Sequence, residues 1–260
     1  MENKHAALAG QGKSRKRLPG LTVADGLMRH PFDAENGVRT SGLVAGRHLK
    51  SGHPHDRHAT AYYGVAPSVF QALVRLWRRS RPAARIEETT FIDIGAGMGR
   101  AMMLAAEMPF RAVLGVELNP TLLRMARRNL ASWRKAGRAR APMRLLSADA
   151  SEFPIPQGPC AAFLFNPFGA AVMRRFVRAT TRALVDRPGT FDILYVNNEQ
   201  EGVLESARGF VRLYVGQVRK SRADALADHR ILANQPDGEY ASSNYEDCSI
   251  WRWVGIAEGG

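Results

Sequence analysis

Hydrophobic and polar positions repeat with different periods along the chain. From residue 67, apolar residues recur at helical spacing and arginines occupy the opposite side, as at Val69, Phe70, Leu73, Val74 and Trp77. Short apolar runs predict strands at 89–94, 112–117, 143–146, 161–165 and 191–196. Helical periods predict helices at 98–108, from 120 onwards, at 170–185 and at 200–207. Such alternation of strands and helices is typical of a parallel sheet covered on both faces.

The last part of the chain departs from this alternation. Two strand-like runs, 210–218 and 249–254, follow each other without an obvious helical segment between them. Strands in such succession favour an antiparallel pairing. We therefore predict an α/β fold, a Rossmann-like doubly wound sheet that is mostly parallel and has an antiparallel edge strand near the C-terminus.

The N-terminal quarter is different in kind from the rest. Residues 1–20 are rich in glycine and basic residues with little apolar periodicity, so we expect a disordered basic tail. Residues 21–66 hold scattered apolar positions among turn-forming residues and predict an ordered, irregular arm. Residues 67–260 then form the main domain, since this length is ample for one hydrophobic core.

Charge leaves two interpretations open. The chain carries 37 basic and 24 acidic residues, a net charge of +13, and 31 of the basic residues are arginines. An excess of this size indicates an acidic partner such as nucleic acid. It is equally typical of an arginine-rich composition, and the dispersal of the arginines along the chain favours this second interpretation. Nucleic-acid binding is therefore a possible but not a favoured property.

Cysteine and histidine content argue against a metal or disulfide framework. Cys160 and Cys248 are the only cysteines, which is typical of a reducing, cytoplasmic setting. Six of the seven histidines precede residue 60, among them His48, His53 and His55, with few nearby carboxylates. Hydrogen-bonded or solvated histidines are favoured over a metal cluster. No apolar run long enough to cross a membrane is present.

The most informative segment runs from Phe91 to Arg100, between a predicted buried strand and a predicted helix. Its pattern is Asp-x-Gly-x-Gly-x-Gly, with Asp93 first and Ala96 and Met98 between the glycines Gly95, Gly97 and Gly99. Glycines let a ligand approach the backbone, and the helix start beyond offers free N–H groups. A dinucleotide fingerprint requires a glycine where Arg100 stands, which disfavours a nicotinamide cofactor.

Three further polar residues follow predicted strands. Glu117 ends the second strand, 24 residues after Asp93, where a carboxylate can accept hydrogen bonds from ribose hydroxyls. Asp149 follows the third strand and Asn166 the fourth. Because open α/β sheets bind ligands at the carboxyl ends of their strands, we expect these residues to lie near one another. Each also has a plainer interpretation, as a loop acid, a turn residue or a helix start.

This set of motifs resembles class I S-adenosylmethionine (SAM) methyltransferases of a bacterial group, with some similarity to the non-SET lysine methyltransferases. The resemblance implies that Asp93, the glycine loop with Ala96, Glu117, Asp149 and Asn166 bind SAM. It also implies that Asn166, Pro167 and Phe168 lie beside the transferred methyl group. The domain 67–260 is then the SAM-binding methyltransferase domain.

The same resemblance extends upstream, where Tyr62 and Tyr63 precede the first helix. In that group such a segment covers the cofactor, which implies a lid that includes both tyrosines; core packing of the two rings is the alternative. The group's amino-methylating members commonly carry a second proline after Asn-Pro, and Phe168 stands there instead. The methyl acceptor, a nitrogen or oxygen of a protein or small molecule, stays unidentified.

Two functions from different classes follow. The first is an enzyme that transfers a methyl group from SAM to this acceptor. The second is a noncatalytic SAM- or nucleotide-binding protein whose basic surface binds RNA. The sequence gives no indication of the oligomeric state.

Overall fold

The structure, a computed structural model, describes residues 29–234 and 242–256. Within these ranges it contains seven helices and seven strands. The helices are α1 Pro31–Asn36, α2 Pro67–Arg79, α3 Arg100–Ala106, α4 Pro120–Lys135, α5 Ala170–Ala183, α6 Glu201–Glu205 and α7 Arg222–Ala233. The strands are β1 Thr90–Ile94, β2 Ala112–Glu117, β3 Met143–Ser147, β4 Cys160–Phe165, β5 Phe191–Val196, β6 Phe210–Arg219 and β7 Tyr245–Trp253.

All seven strands form one sheet in the order β3-β2-β1-β4-β5-β7-β6. The first five strands in this order are parallel to one another, and β7 pairs antiparallel with both β5 and β6. The chain runs outward from β1 to β3 and then returns to β4, so the direction of winding changes between β1 and β4. The predicted Rossmann-like, mostly parallel sheet with antiparallel C-terminal pairing is confirmed.

Helices cover both faces of the sheet because its central strands are apolar on both sides. Every residue of β1 and of β5 is buried, as expected for strands enclosed between two layers. On one face, Phe70 of α2 packs edge-to-face against Phe91 and Phe163, with ring centroids 5.8 and 5.4 Å apart. On the other face, Phe176 of α5 belongs to a second buried cluster. These two layers fix the strand ends that form the site.

The predicted elements are confirmed apart from differences of up to four residues at their ends, but two helices were missed: α1, within the arm for which irregular structure was predicted, and α7. Helix α7 joins β6 to β7, where no helical segment was predicted. Its buried face contains Asp224 and Asp228 beside Ala227 and Ile231. Two carboxylates on the inner face interrupt the apolar repeat by which amphipathic helices are recognised. The helix begins normally, since the Ser221 hydroxyl accepts a hydrogen bond from the Asp224 N–H.

The arm is ordered over its described part, residues 29–66. It contains α1 and two short 3₁₀ turns, Gly46–His48 and Asp56–His58. Single antiparallel bridges join Val44 to Tyr62 and Ala59 to Phe168. The predicted basic tail and residues 21–28 of the arm lie outside the described residues. Among the described helices, none has the length and apolarity required to cross a membrane.

Candidate functional site

The loop between β1 and α3 passes close to two other segments, and this closeness requires glycine. Gly95 has φ 73° and a Cβ there would lie 2.5 Å from the Cβ of Pro167. Gly97 has φ 55° and a Cβ there would lie within 3.0 Å of the Tyr62 ring. Side chains are disfavoured at both positions by conformation and by space. The loop therefore lies directly against the β4 end and the arm.

Asp93 lies near the end of β1 and is 3% exposed. Its Oδ2 is buried without a hydrogen-bond partner among the described residues. Burial, together with the nearby charge of Glu117, raises the pKa of Asp93 to about 8. A buried carboxylate without a partner is unfavourable unless a donor or a cation reaches it. Because Asp93 also lines the cavity described below, such a group can approach from the cavity side.

Glu117, at the end of β2, holds the glycine loop in position. Its Oε2 accepts a 2.7 Å hydrogen bond from the Gly97 N–H, and its Oε1 accepts one of 2.7 Å from the Asn119 N–H. Burial raises the pKa of Glu117, and the backbone hydrogen bonds act in the opposite direction. Each carboxylate oxygen has a second lone pair, so two acceptor positions remain for a ligand.

Asp149 follows β3 and contacts the arm. Its Oδ1 accepts hydrogen bonds of 2.7 Å from both the N–H and the hydroxyl of Ser151, and its Oδ2 lies 2.5 Å from His55 Nδ1. Burial alone would raise the pKa of Asp149, but the hydrogen bonds from Ser151 and His55 lower it below the ordinary value. Asp149 is therefore a carboxylate already bound to the arm. A ligand in the cavity can use only the remaining lone pairs of Asp149.

Asn166 is a strained position at the end of β4. Its φ is 38°, in the left-handed region that asparagine tolerates better than most residues. Its backbone carbonyl accepts a hydrogen bond from the Thr60 hydroxyl, and its Oδ1 accepts a weak one of 3.4 Å from the Tyr195 hydroxyl. The interpretation of Asn166 as a helix cap is wrong, because Gly169 occupies the N-cap of α5. Tertiary contacts thus determine its conformation.

Phe168 and the two tyrosines supply apolar walls. Phe168 packs against Phe176, with ring centroids 6.2 Å apart. The Tyr62 hydroxyl donates a 2.8 Å hydrogen bond to the Thr40 carbonyl, and the Tyr63 hydroxyl donates one of 2.8 Å to Asp228. Burial raises the pKa of both tyrosines, so neither phenol ionises near neutral pH. Their rings face the cavity while their hydroxyls are bound elsewhere.

Arg100 is a residue whose role the sequence did not reveal. It is 3% exposed, and its guanidinium is enclosed by the arm. Its Nε donates a 2.6 Å hydrogen bond to the Thr40 hydroxyl and its Nη1 one of 3.0 Å to the Gly64 carbonyl, while Asp33 lies 3.7 Å from Nη2. These donors satisfy groups of the arm that are far from Arg100 in sequence. No local pattern signals such a contact; Arg100 was notable only as a departure from the dinucleotide fingerprint.

Most of the predicted site residues converge on one cavity, whose space including its open mouth is about 1020 Å³. Those that line it are Tyr62, Tyr63, Asp93, Gly95, Ala96, Glu117, Asp149, Pro167 and Phe168. The remaining three do not line it: Gly97 lies beneath Tyr62, Gly99 forms the N-cap of α3, and Asn166 is directed at Tyr195.

The arm closes one side of this cavity. Leu49, His55 and the segment 59–65 all contribute to its lining, opposite the glycine loop. Of these residues, only the two tyrosines were predicted to lie at the site. The contribution of His55 and Thr60 depends on their contacts with Asp149 and Asn166, which are long-range and leave no periodic signal.

The chain is similar to several solved structures at low sequence identity. No protein-family model and no curated protein matches the chain. Among solved structures, precorrin-6Y C5,15-methyltransferase from Geobacter metallireducens GS-15 is 20% identical, with TM-score 0.45, over 70% of this chain and 86% of that one. TrmN from Thermus thermophilus is 19% identical, with TM-score 0.47, over 73% and 49%. The [4+2]-cyclase SpnF is 16% identical, with TM-score 0.48, over 72% and 81%.

Proposed function

We propose that this protein is a SAM-dependent methyltransferase. The observation that carries the proposal is the convergence of three carboxylates on one cavity beside a glycine loop. Asp93, Glu117 and Asp149 stand at the carboxyl ends of the neighbouring strands β1, β2 and β3, and all three line this cavity. It opens at the end of the sheet where the winding direction changes, which is the usual ligand position in open α/β sheets.

The chemistry of these residues fits SAM. The partnerless Oδ2 of Asp93 is suited to the cationic amino group of the methionine portion. The two free acceptor positions of Glu117 are suited to the ribose hydroxyls, because its other lone pairs already hold the backbone of Gly97 and Asn119. Asp149 borders the same cavity and is suited to the adenine amine. These assignments follow the resemblance noted in the sequence.

Bound SAM supplies a methyl group on a sulfonium, which is already a good leaving group. The chain's own contribution is then to orient the acceptor and exclude water. Phe168, Tyr62 and Tyr63 line the cavity with apolar surface and serve the second task. We assign the first task to Asn166, whose Oδ1 is held only weakly by Tyr195. Because Asn166 does not line the cavity, its side chain has to turn away from Tyr195 before its Oδ1 can accept a hydrogen bond from an acceptor N–H or O–H.

The arm serves as a lid in this proposal. Three contacts join the arm to the site. The Tyr62 ring packs over Gly97, His55 hydrogen-bonds to Asp149, and Thr60 hydrogen-bonds to Asn166. Arg100 fastens it to the start of α3. The arm therefore has to open or shift for SAM to enter, and its closure removes water from the reaction.

The experiment that tests methyl transfer is a product screen with methyl-labelled SAM. Amines, carboxylates, small phenols, peptides and RNA serve as acceptors, and protein heated beyond unfolding is the control. We expect label transfer to one of these acceptor classes. Tight SAM binding with no product from any of them contradicts catalysis and favours the noncatalytic binding protein.

A further inference from the structure

Residues 51–56 of the arm form a compact loop next to Asp149. The carboxylate of Asp56 accepts hydrogen bonds from the Ser51 hydroxyl at 2.5 Å, the Ser51 N–H at 2.7 Å and the Gly52 N–H at 2.8 Å. The loop so fixed carries His53 and His55 with their ring centroids 4.9 Å apart. Both imidazoles approach the same carboxylate of the main domain.

Three potential metal ligands meet at this point. Oδ2 of Asp149 lies 2.5 Å from Nδ1 of His55 and 3.8 Å from Nδ1 of His53, and one ligand atom of each residue lies within 4.8 Å of those of the other two. Ligands that hold one zinc ion tetrahedrally, at bond lengths of about 2.0–2.1 Å, are roughly 3.3 Å apart. Each of the two distances from Oδ2 reaches this value with a shift of less than about 1 Å. Nδ1 of His53 accepts a 3.2 Å hydrogen bond from the His55 N–H, so His53 binds the ion through Nδ1 only by giving up this bond, or else through Nε2.

The chemistry of the group suits a late first-row divalent ion. Two imidazole nitrogens and one carboxylate are ligands that zinc takes in proteins. The side chain of His53 is 33% exposed, which leaves room for a water molecule as a further ligand. We propose that His53, His55 and Asp149 form a Zn²⁺ site that joins the arm to the loop after β3. This site shares Asp149 with the proposed SAM site and borders the same cavity, but the proposal of Zn²⁺ binding does not rest on methyl transfer.

Arg175 on the exposed face of α5 competes with such an ion. Its Nη1 lies 2.5 Å from Nε2 of His55. A guanidinium only donates hydrogen bonds, so Nε2 accepts and the imidazole proton is on Nδ1, which donates to Asp149. A metal ion on Nδ1 requires the other tautomer, with the proton on Nε2. In that tautomer the Arg175 guanidinium and Nε2 of His55 are both hydrogen-bond donors, so their hydrogen bond is lost. Arg175 therefore disfavours the metal-bound arrangement.

The experiment is calorimetric titration of ZnCl₂ into chelator-treated, tag-free protein. We expect one Zn²⁺ per chain, with affinity about tenfold lower or worse in His53→Gln and in Asp149→Asn. His58→Gln is the matched control, because His58 lies in the same segment, next to Arg57, and is outside the ligand group. Its affinity for Zn²⁺ should equal that of the wild type.

Arg175→Ala gives a second readout with the opposite sign. Removing the competitor should tighten Zn²⁺ binding, which a loss of folding cannot imitate. The proposal is overturned if no saturable binding occurs, if His53→Gln leaves the affinity unchanged, or if His58→Gln lowers it as much as His53→Gln does. It is also overturned if Arg175→Ala weakens binding. None of these outcomes depends on whether the protein binds SAM.

Discussion

The approach of Tyr62 to the glycine loop gives a sharp test, because Gly97→Ala should destabilise the protein for two separate reasons. First, φ is 55° at Gly97, and an L-residue in the left-handed region costs about 1–2 kcal/mol. Second, the new Cβ would lie within 3.0 Å of the Tyr62 ring, which has to move. Overpacking of this kind costs about 1–3 kcal/mol. The free energy of unfolding should therefore fall by about 2–5 kcal/mol.

Gly137→Ala separates the two causes. Gly137 has φ 69°, similar to that of Gly97, but a Cβ there would meet nothing within 4 Å. This control variant pays the backbone cost alone, about 1–2 kcal/mol. The difference between the two variants, about 1–3 kcal/mol, then measures the contact with Tyr62.

The assay is urea denaturation followed by both fluorescence and circular dichroism, whose transitions should coincide if unfolding is two-state. The double variant Gly97→Ala with Tyr62→Ala completes a mutant cycle. With the ring absent, the alanine should cost no more than in Gly137→Ala, which gives a coupling free energy of about 1–3 kcal/mol. Equal losses for Gly97→Ala and Gly137→Ala, or additivity within about 0.5 kcal/mol, would refute the reasoning.

Three other substitutions test single site residues. Glu117→Ala should weaken SAM binding by about 1.5–3 kcal/mol, measured by calorimetry. It should also lower the free energy of unfolding, because the Gly97 and Asn119 N–H groups lose their acceptor. Unchanged SAM affinity in a folded variant would contradict the ribose contact. Asp93→Asn should flatten the pH dependence of stability. A carboxyl whose pKa is raised from 3.8 to about 8 stabilises the fold fully below its ordinary pKa and loses that contribution as the pH rises through about 8. If the free energy of unfolding, measured with urea, changes equally between about pH 5 and about pH 9 in the wild type and in Asp93→Asn, this titration is excluded. Asn166→Gly keeps the left-handed backbone but removes the amide, so turnover should fall about 10²-fold at unchanged SAM affinity; turnover within threefold of the wild type would leave Asn166 without a catalytic role.

Much of the sheet was predictable because its strands are short apolar runs bounded by turn residues. β1 and β5 are completely buried, and a continuous apolar run is the sequence signal of that environment. Helix α7 was not predicted, because Asp224 and Asp228 occupy its buried face and interrupt the apolar repeat. Those carboxylates are bound by partners distant in sequence: the Ser68 N–H binds Asp224, and the Tyr63 hydroxyl binds Asp228.

For the site, the sequence predicted residues at strand ends better than contacts between segments. The position of Glu117 at the end of an apolar strand was enough to predict that it lies at the cavity. Its hydrogen bonds to the backbone of Gly97 and Asn119, and the enclosure of Arg100 by the arm, depend on how distant segments pack. A hydrophobic repeat contains no information about such polar contacts, and a single sequence contains no covariation signal that would reveal them.

The most direct test of the central claim is calorimetric titration of SAM into the tag-free protein, with NAD as the control ligand. We expect one saturable SAM site per chain, from which the demethylated product S-adenosylhomocysteine displaces SAM, and no heat of binding with NAD. We also expect weaker SAM binding in Asp93→Asn, whose amide cannot neutralise the cationic amino group. Absence of SAM binding, or NAD binding that Glu117→Ala abolishes, would contradict it.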